Sequence, residues 1–78
     1  MGNKDVKLIE KMRNQPNGIN PKDAEKILLY LGFEHRNTKG SHKHFKRKSD
    51  GMWFTLVLSE NPMKRYFVED ILKIVDES

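Results

Sequence analysis

The sequence contains no cysteine, which excludes a disulfide framework and a zinc site built from thiolates. Its apolar clusters are only a few residues long, whereas a helix that crosses a bilayer needs roughly 18 apolar residues. The start of the chain also lacks the apolar segment of a secretory signal. These absences predict a soluble, cytoplasmic protein that does not associate with a membrane.

Length sets a further bound. The 78 residues allow one domain, over residues 1–78, and leave no room for a second core. A domain of this size buries only about 60% of the surface that its unfolded chain exposes, so its stability is expected to be modest.

Acidic residues are absent between His35 and Ser49. That window holds all three histidines and six of the fifteen lysines and arginines: Arg36, Lys39, Lys43, Lys46, Arg47 and Lys48. Elsewhere nine cations face eleven acidic residues, so the rest of the chain is slightly acidic. A basic patch on an acidic body predicts a polyanionic partner. The alternative is a solvated hairpin whose lysines protect the edge of a sheet from aggregation.

Apolar residues at helical spacing predict a first helix over roughly Asp5–Arg13 and a last helix over roughly Tyr66–Asp76. A middle helix is expected to begin after Asn20, whose side chain can cap free amides, and to end at Gly32. Its apolar stripe is expected to lie in the core: Ala24, Ile27, Leu28 and Leu31.

Alternating residues predict three strands, over Phe33–Lys39, His42–Lys48 and Met52–Leu58. Two glycine-containing pairs, Gly40-Ser41 and Asp50-Gly51, suit two-residue hairpin turns between them. The order of elements is then α-α-β-β-β-α. An antiparallel meander with one apolar face covered by helices predicts a two-layer α+β fold.

A two-residue turn at Asp50-Gly51 would pair Phe45 with Leu56. The core face of the sheet would then carry Phe45, Met52, Phe54, Leu56 and Leu58. The opposite face would carry His42, His44, Lys46, Lys48, Trp53, Thr55 and Val57, because strand faces alternate. The same alternation directs Arg36 towards the core and Phe33 away from it. This conflict requires either a β-bulge or a position for Phe33 before the paired region.

The segment around the first turn carries the candidate chemistry, with His42 directly after Gly40-Ser41. An imidazole is largely neutral at pH 7 and can accept the proton of a ribose 2′-hydroxyl. Neighbouring cations can stabilise the charge on the phosphate. His44, on the same face, is the candidate proton donor for the leaving oxygen. The expected RNA-binding residues are Lys39, Gly40, Ser41, Lys43, Lys46, Lys48 and Trp53.

Three alternatives stay open for these side chains. The histidines could be simple exposed polar residues of a basic hairpin. Trp53 could stack an unpaired base, lie in the core or contact a partner protein. A metal site is the third alternative, but His42 and His44 lack a nearby Asp, Glu or Cys and are surrounded by cations. We therefore expect no metal and no cofactor.

Three segments resemble the HicA toxin family, small mRNA interferases of toxin–antitoxin systems. They are Leu31–Glu34, the Lys39–His42 tetrapeptide with Phe45 after it, and Lys64–Val68 followed by Ile71–Lys73. The resemblance runs from about Asp23 to the end of the chain. Residues 1–19 are then a helical extension and turn, and residues 20–78 are the core of the domain.

The resemblance implies a fold like that of double-stranded-RNA-binding domains and metal-independent cleavage of mRNA that depends on His42. It also implies a HicB-like antitoxin that covers the site, and we expect the free chain to be a monomer. Many members place a second histidine directly after the first, whereas this chain has Lys43 there and His44 next. Members also often carry an aliphatic residue or arginine at the positions of His35 and Asn37.

Two other functions fit parts of the pattern. A non-catalytic module that recognises double-stranded RNA by shape would span about 16 base pairs, and it would need cations spread over helix ends and loops. A helix-turn-helix DNA reader would use the first two helices. Its second helix would offer Lys22 and Lys26 against Asp23 and Glu25, which is little positive charge for a DNA groove.

Overall fold

The computed structural model of the protein describes residues 3–77. Its elements are α1 (Asn3–Asn14), α2 (Pro21–Tyr30), β1 (Phe33–Lys39), β2 (His42–Arg47), β3 (Trp53–Val57) and α3 (Arg65–Glu77). The three strands form one antiparallel sheet in the order β1-β2-β3. This architecture confirms the predicted α+β order and the fold resembling double-stranded-RNA-binding domains. No helix within the described range is long and apolar enough to cross a membrane.

The ends of α2 follow the sequence signals closely. Asn20 has extended backbone angles, and its side-chain oxygen accepts a hydrogen bond from the Asp23 N–H at 3.0 Å. Pro21 occupies the first helical position, where a missing N–H costs nothing. Gly32 follows the helix with a φ of 93°, a left-handed conformation that glycine adopts without the Cβ clash of other residues.

The helices cover one face of the sheet. α2 packs on β1 and β3, and α1 and α3 pack on α2 and on each other. On α3, the ring of Phe67 meets Phe54 of the sheet edge to face, with centroids 6.3 Å apart. The buried core draws on every element and on the intervening loops: Met12, Ile19, Ala24, Ile27, Leu28, Phe33, Phe45, Leu56, Met63, Val68, Ile71 and Ile74.

The predicted two-residue turn at Asp50-Gly51 is wrong. Arg47 and Met52 instead flank a four-residue turn, closed by the hydrogen bonds from the Arg47 N–H to the Met52 carbonyl and from the Gly51 N–H to the Arg47 carbonyl, each 2.7 Å. Asp50 organises this wider turn, since its carboxylate accepts hydrogen bonds from the Arg47 guanidinium and from the Met52 N–H.

The wider turn moves β3 by two residues relative to the predicted register, so that Phe45 pairs with Phe54 instead of Leu56. Because side chains alternate with a period of two, this shift leaves each strand residue on its predicted face. The first and last residues of the predicted third strand do differ from expectation. Met52 and Leu58 lie outside β3 and are exposed, so they do not contribute to the buried core.

A β-bulge resolves the conflict in β1. Phe33 pairs with Arg47 and His35 with Phe45, and the register then shifts so that Asn37 faces His44. Arg36 is the extra residue at this irregularity. Phe33 is therefore buried on the helix side, and Arg36 is exposed instead of pointing into the core.

Candidate active site

The β1–β2 connection presents the candidate chemistry at one end of the sheet. Lys39 pairs with His42, so Gly40-Ser41 is the two-residue turn that the sequence predicts. Gly40 has a φ of 59°, whereas Ser41 does not have a positive φ. A positive φ at the first central residue alone fits a type II′ turn. The Leu58 N–H donates to the Ser41 carbonyl at 2.8 Å and ties the turn to the end of β3.

The sheet face opposite the helices is hereafter the open face. The strand register places on it Glu34, Asn37, Lys39, His42, His44, Lys46, Trp53, Thr55 and Val57. It therefore brings the two candidate catalytic histidines together with two of the candidate RNA-binding lysines and the tryptophan.

His42 occupies the first position of β2, between Lys39 on β1 and Val57 on β3. Its side chain is exposed, and it has no hydrogen bond or ion pair to any residue from 6 to 77. Both ring nitrogens are thus available to a ligand on the open face.

His44 is two residues further along β2 and about 7 Å away by strand geometry. It is half-buried, and its Nδ1 lies 2.9 Å from the Oγ1 of Thr55, its partner across the strands. This bond engages Nδ1 and leaves Nε2 as the ring nitrogen without a partner in the described chain. Strand alternation predicts Thr55 on this face, but the bond to His44 depends on the observed register, which pairs these two residues.

The third histidine lies on the other side of the sheet. His35 Nε2 is 2.7 Å from the Oγ1 of Thr38, and its ring packs at 5.8 Å from the ring of Phe45, which belongs to the core. His35 is thus separated from the other two histidines, although all three fall within ten residues of sequence.

The six cations of the basic window divide into two groups. Lys43, on the helix side, donates to a carboxylate oxygen of Glu25 on α2 at 2.7 Å. Arg47 donates to Asp50 at 2.6 Å, which lowers the pKa of that carboxyl to about 2. The other four have no acidic partner among the described side chains: Arg36, Lys39, Lys46 and Lys48.

Trp53 lies on the open face with 56% of its surface exposed, so it is not a core residue. The ammonium of Lys46, its partner across the strands, lies 5.4 Å from the centre of the indole ring. Such a cation–π contact orients both side chains on the surface. No three His, Asp or Glu side chains in the described part of the chain lie close enough together to hold a metal ion.

The family sequence model for the HicA toxins of bacterial toxin–antitoxin systems matches residues 21–76 of this chain. The chain belongs to the HicA toxin family. It matches no curated protein and no solved structure. The matched range begins at the first residue of α2 and includes the whole sheet and nearly all of α3, so α1 lies before it.

Membership in this family makes the chain a toxin of a toxin–antitoxin system and implies a HicB-type antitoxin as its partner. In this HicA toxin the three segments that resemble the family lie at junctions between elements or at their ends. Leu31–Glu34 leads from α2 into β1, Lys39–His42 forms the tip of the β1–β2 hairpin, and Lys64–Val68 begins α3.

Proposed function

We propose that this HicA toxin is a metal-independent endoribonuclease that cleaves mRNA with His42 as the general base. The observation that carries the proposal is the exposed imidazole of His42, which has no partner in the described chain and shares the open face with Lys39 and Lys46. A polyanion can approach this face because its lysines are not neutralised by carboxylates of the protein.

The reaction is a transesterification. The ribose 2′-oxygen attacks the adjacent phosphorus, and the O2′–P bond forms while the P–O5′ bond breaks. The products are a 2′,3′-cyclic phosphate and a 5′-hydroxyl. His42 takes the proton from the attacking 2′-hydroxyl, which is the step that a neutral imidazole is suited to catalyse.

The leaving 5′-oxygen needs a proton that a single base cannot supply at the same time. His44 is the group we assign to this step, because it lies about 7 Å along the same strand from His42 and its Nε2 has no protein partner. Thr55 is then a positioning residue, since it holds Nδ1 and determines which nitrogen can reach the substrate.

Lys39 is the cation best placed to stabilise charge on the reacting phosphate, because it pairs directly with His42 across the hairpin. Lys43 follows His42 in sequence but lies on the helix side, bound to Glu25. We therefore assign Lys43 a structural role in place of the RNA contact expected from its sequence position. Gly40 and Ser41 form the turn that sets His42 at the tip of the hairpin.

The proposal places the toxin in the cytoplasm, where mRNA is its substrate. A HicB-type antitoxin then covers the open face, and the free toxin is a monomer. Co-expression with such an antitoxin should suppress the growth arrest that the toxin alone produces.

The test is cleavage of a labelled RNA by purified protein in the presence of EDTA. His42→Ala is expected to lower the rate by about 10²- to 10⁴-fold, the usual contribution of a positioned base. His35→Ala is the matched control, because it removes the same ring from the other side of the same hairpin. The product ends should carry the cyclic phosphate.

Cleavage by His42→Ala at the parent rate would remove His42 from the mechanism. A shift of intact RNA on a native gel, with no cleavage by the parent protein, would instead favour the alternative of a module that binds double-stranded RNA by shape. A folded His42→Ala variant that binds but does not cut would support the proposed function.

A further inference from the structure

A second basic feature lies at the end of β2, about 13 Å from His42, and shares Glu34 and Lys46 with the open face. Five residues line a surface depression of about 220 Å³: Glu34, Arg36, Lys46, Arg47 and Lys48. Four of these are cations, and the fifth is a single carboxylate. The depression is thus a concave, positively charged site, and the β-bulge contributes Arg36 to it.

The positive charge of this depression is largely uncompensated. Arg47 is paired with Asp50 outside the lining, whereas Arg36, Lys46 and Lys48 have no ion pair to any described residue. Even if Glu34 neutralises one of them, two positive charges stay available. A depression of this size with several free donors suits a phosphate group, which accepts charge-assisted hydrogen bonds from Arg and Lys.

An aromatic platform adjoins the depression. Lys46 belongs to its lining and also lies over the ring of Trp53, which is more than half exposed. Alternation of lysine or arginine with an exposed aromatic ring is the arrangement by which proteins hold single-stranded nucleic acid, with the cations on the backbone and a base on the ring. A base inside a duplex is not free to stack in this way.

The distance to the candidate catalytic residue is set by β2. Lys46 is four residues from His42 on the same face of one strand, which corresponds to about 13 Å. A few nucleotides of extended RNA can bridge this distance, and footprints of single-strand-binding folds begin at about four nucleotides.

We infer that the depression formed by Arg36, Lys46 and Lys48, together with Trp53, is an anchoring subsite for single-stranded RNA. It holds a backbone phosphate and stacks one base, a few nucleotides away from the bond that lies at His42. The inference rests on the proposed function in taking RNA as the ligand. It adds to that function a preference for single-stranded substrates and a minimum substrate length.

The experiment uses binding, so that it does not depend on cleavage. Trp53 is the only tryptophan in the chain, and its fluorescence therefore reports directly on the subsite. The probes are 2′-O-methyl oligonucleotides of two to about six nucleotides, which lack the attacking 2′-hydroxyl, and a duplex of the same sequence.

Single-stranded probes are expected to change the tryptophan fluorescence in a saturable way, with affinity rising until the probe spans about four nucleotides. The duplex should bind more weakly. Arg36→Ala and Lys48→Ala should each weaken binding about three- to fivefold and reduce the slope of log affinity against log salt by about 0.7. Lys22→Ala, which removes an exposed cation from α2, should leave the affinity unchanged.

His42→Ala should still bind the probes through the subsite, which lies about 13 Å away, although its cleavage rate is strongly reduced. If the parent protein binds the probes but does not cleave RNA, this result contradicts the catalytic proposal and leaves the subsite intact. Equal affinity of Arg36→Ala, Lys48→Ala and the parent for single strands would overturn the subsite. A fluorescence change produced by the duplex but not by single strands would also overturn it.

Discussion

Replacing Thr55 with Val tests how the open face controls the second histidine. The Thr55 hydroxyl lies 2.9 Å from Nδ1 of His44, and both side chains are half-buried on adjacent strands. Valine has nearly the same shape as threonine and suits a strand, so the substitution removes the hydrogen bond and little else. The His44 ring then loses the contact that directs Nε2 towards the substrate.

The size of the effect follows from that single bond. A typical intramolecular hydrogen bond contributes about 0.5–1.5 kcal/mol net. If all of it orients the proton donor in the transition state, kcat should fall roughly 2- to 13-fold. KM should change little, because the Thr55 hydroxyl contacts His44 and not the RNA. Thr55→Ser keeps the hydroxyl and should restore most of the rate.

The assay is single-turnover cleavage of a short RNA at saturating enzyme, measured from about pH 5 to pH 9 so that the alkaline limb of the profile, which reports the proton donor, is included. Thr38→Val is the matched control. It removes the equivalent hydroxyl bond to His35, 2.7 Å long, on the other side of the sheet. An unchanged rate and pH profile in Thr55→Val, or an equal loss in both variants, would refute the positioning of His44 by Thr55.

Two further predictions concern ion pairs, one between distant elements and one within the β2–β3 turn. Lys43→Ala and Glu25→Ala should each lower the free energy of unfolding by about 1 kcal/mol, since both side chains are about three-quarters buried. A urea double-mutant cycle should show strong non-additivity, and fully additive losses would contradict the pairing. The Arg47 hydrogen bonds lower the pKa of Asp50 to about 2, so this carboxylate stabilises the fold above its ordinary pKa near 4. That contribution is lost as the pH falls towards 2. The melting temperatures of the parent and Asp50→Asn should therefore converge over that range, and a constant difference would be contrary to this reasoning.

The two faces of the sheet divide stability from chemistry. Phe45 and Leu56 are completely buried under the helices, and truncation of such side chains typically costs several kcal/mol. His42 and Trp53 lie on the open face, where both side chains are exposed. Substitutions on the open face should therefore change RNA binding or cleavage while the domain stays folded, which makes the proposed tests practical.

Local sequence signals determined most of the elements. Asn20 and Pro21 define where α2 begins, because capping depends only on neighbouring residues. The strand β1 has the predicted bounds, Phe33–Lys39, and Gly40-Ser41 closes the predicted turn. Strict alternation along β2 also separated His42 and His44 from the core face, since neighbouring strand positions point to opposite sides.

Only the tertiary structure decided the pairing between elements. Alternation defines which face a residue occupies but not its partner, so the two-residue shift that brings Phe45 opposite Phe54 left no trace in the pattern. The bulge at Arg36 follows from the need to bury Phe33 on the helix side. Whether a cation is free or paired depends on which acid the fold brings near. Lys43 meets Glu25 from 18 positions earlier in the chain, and a linear reading of charge does not contain that contact.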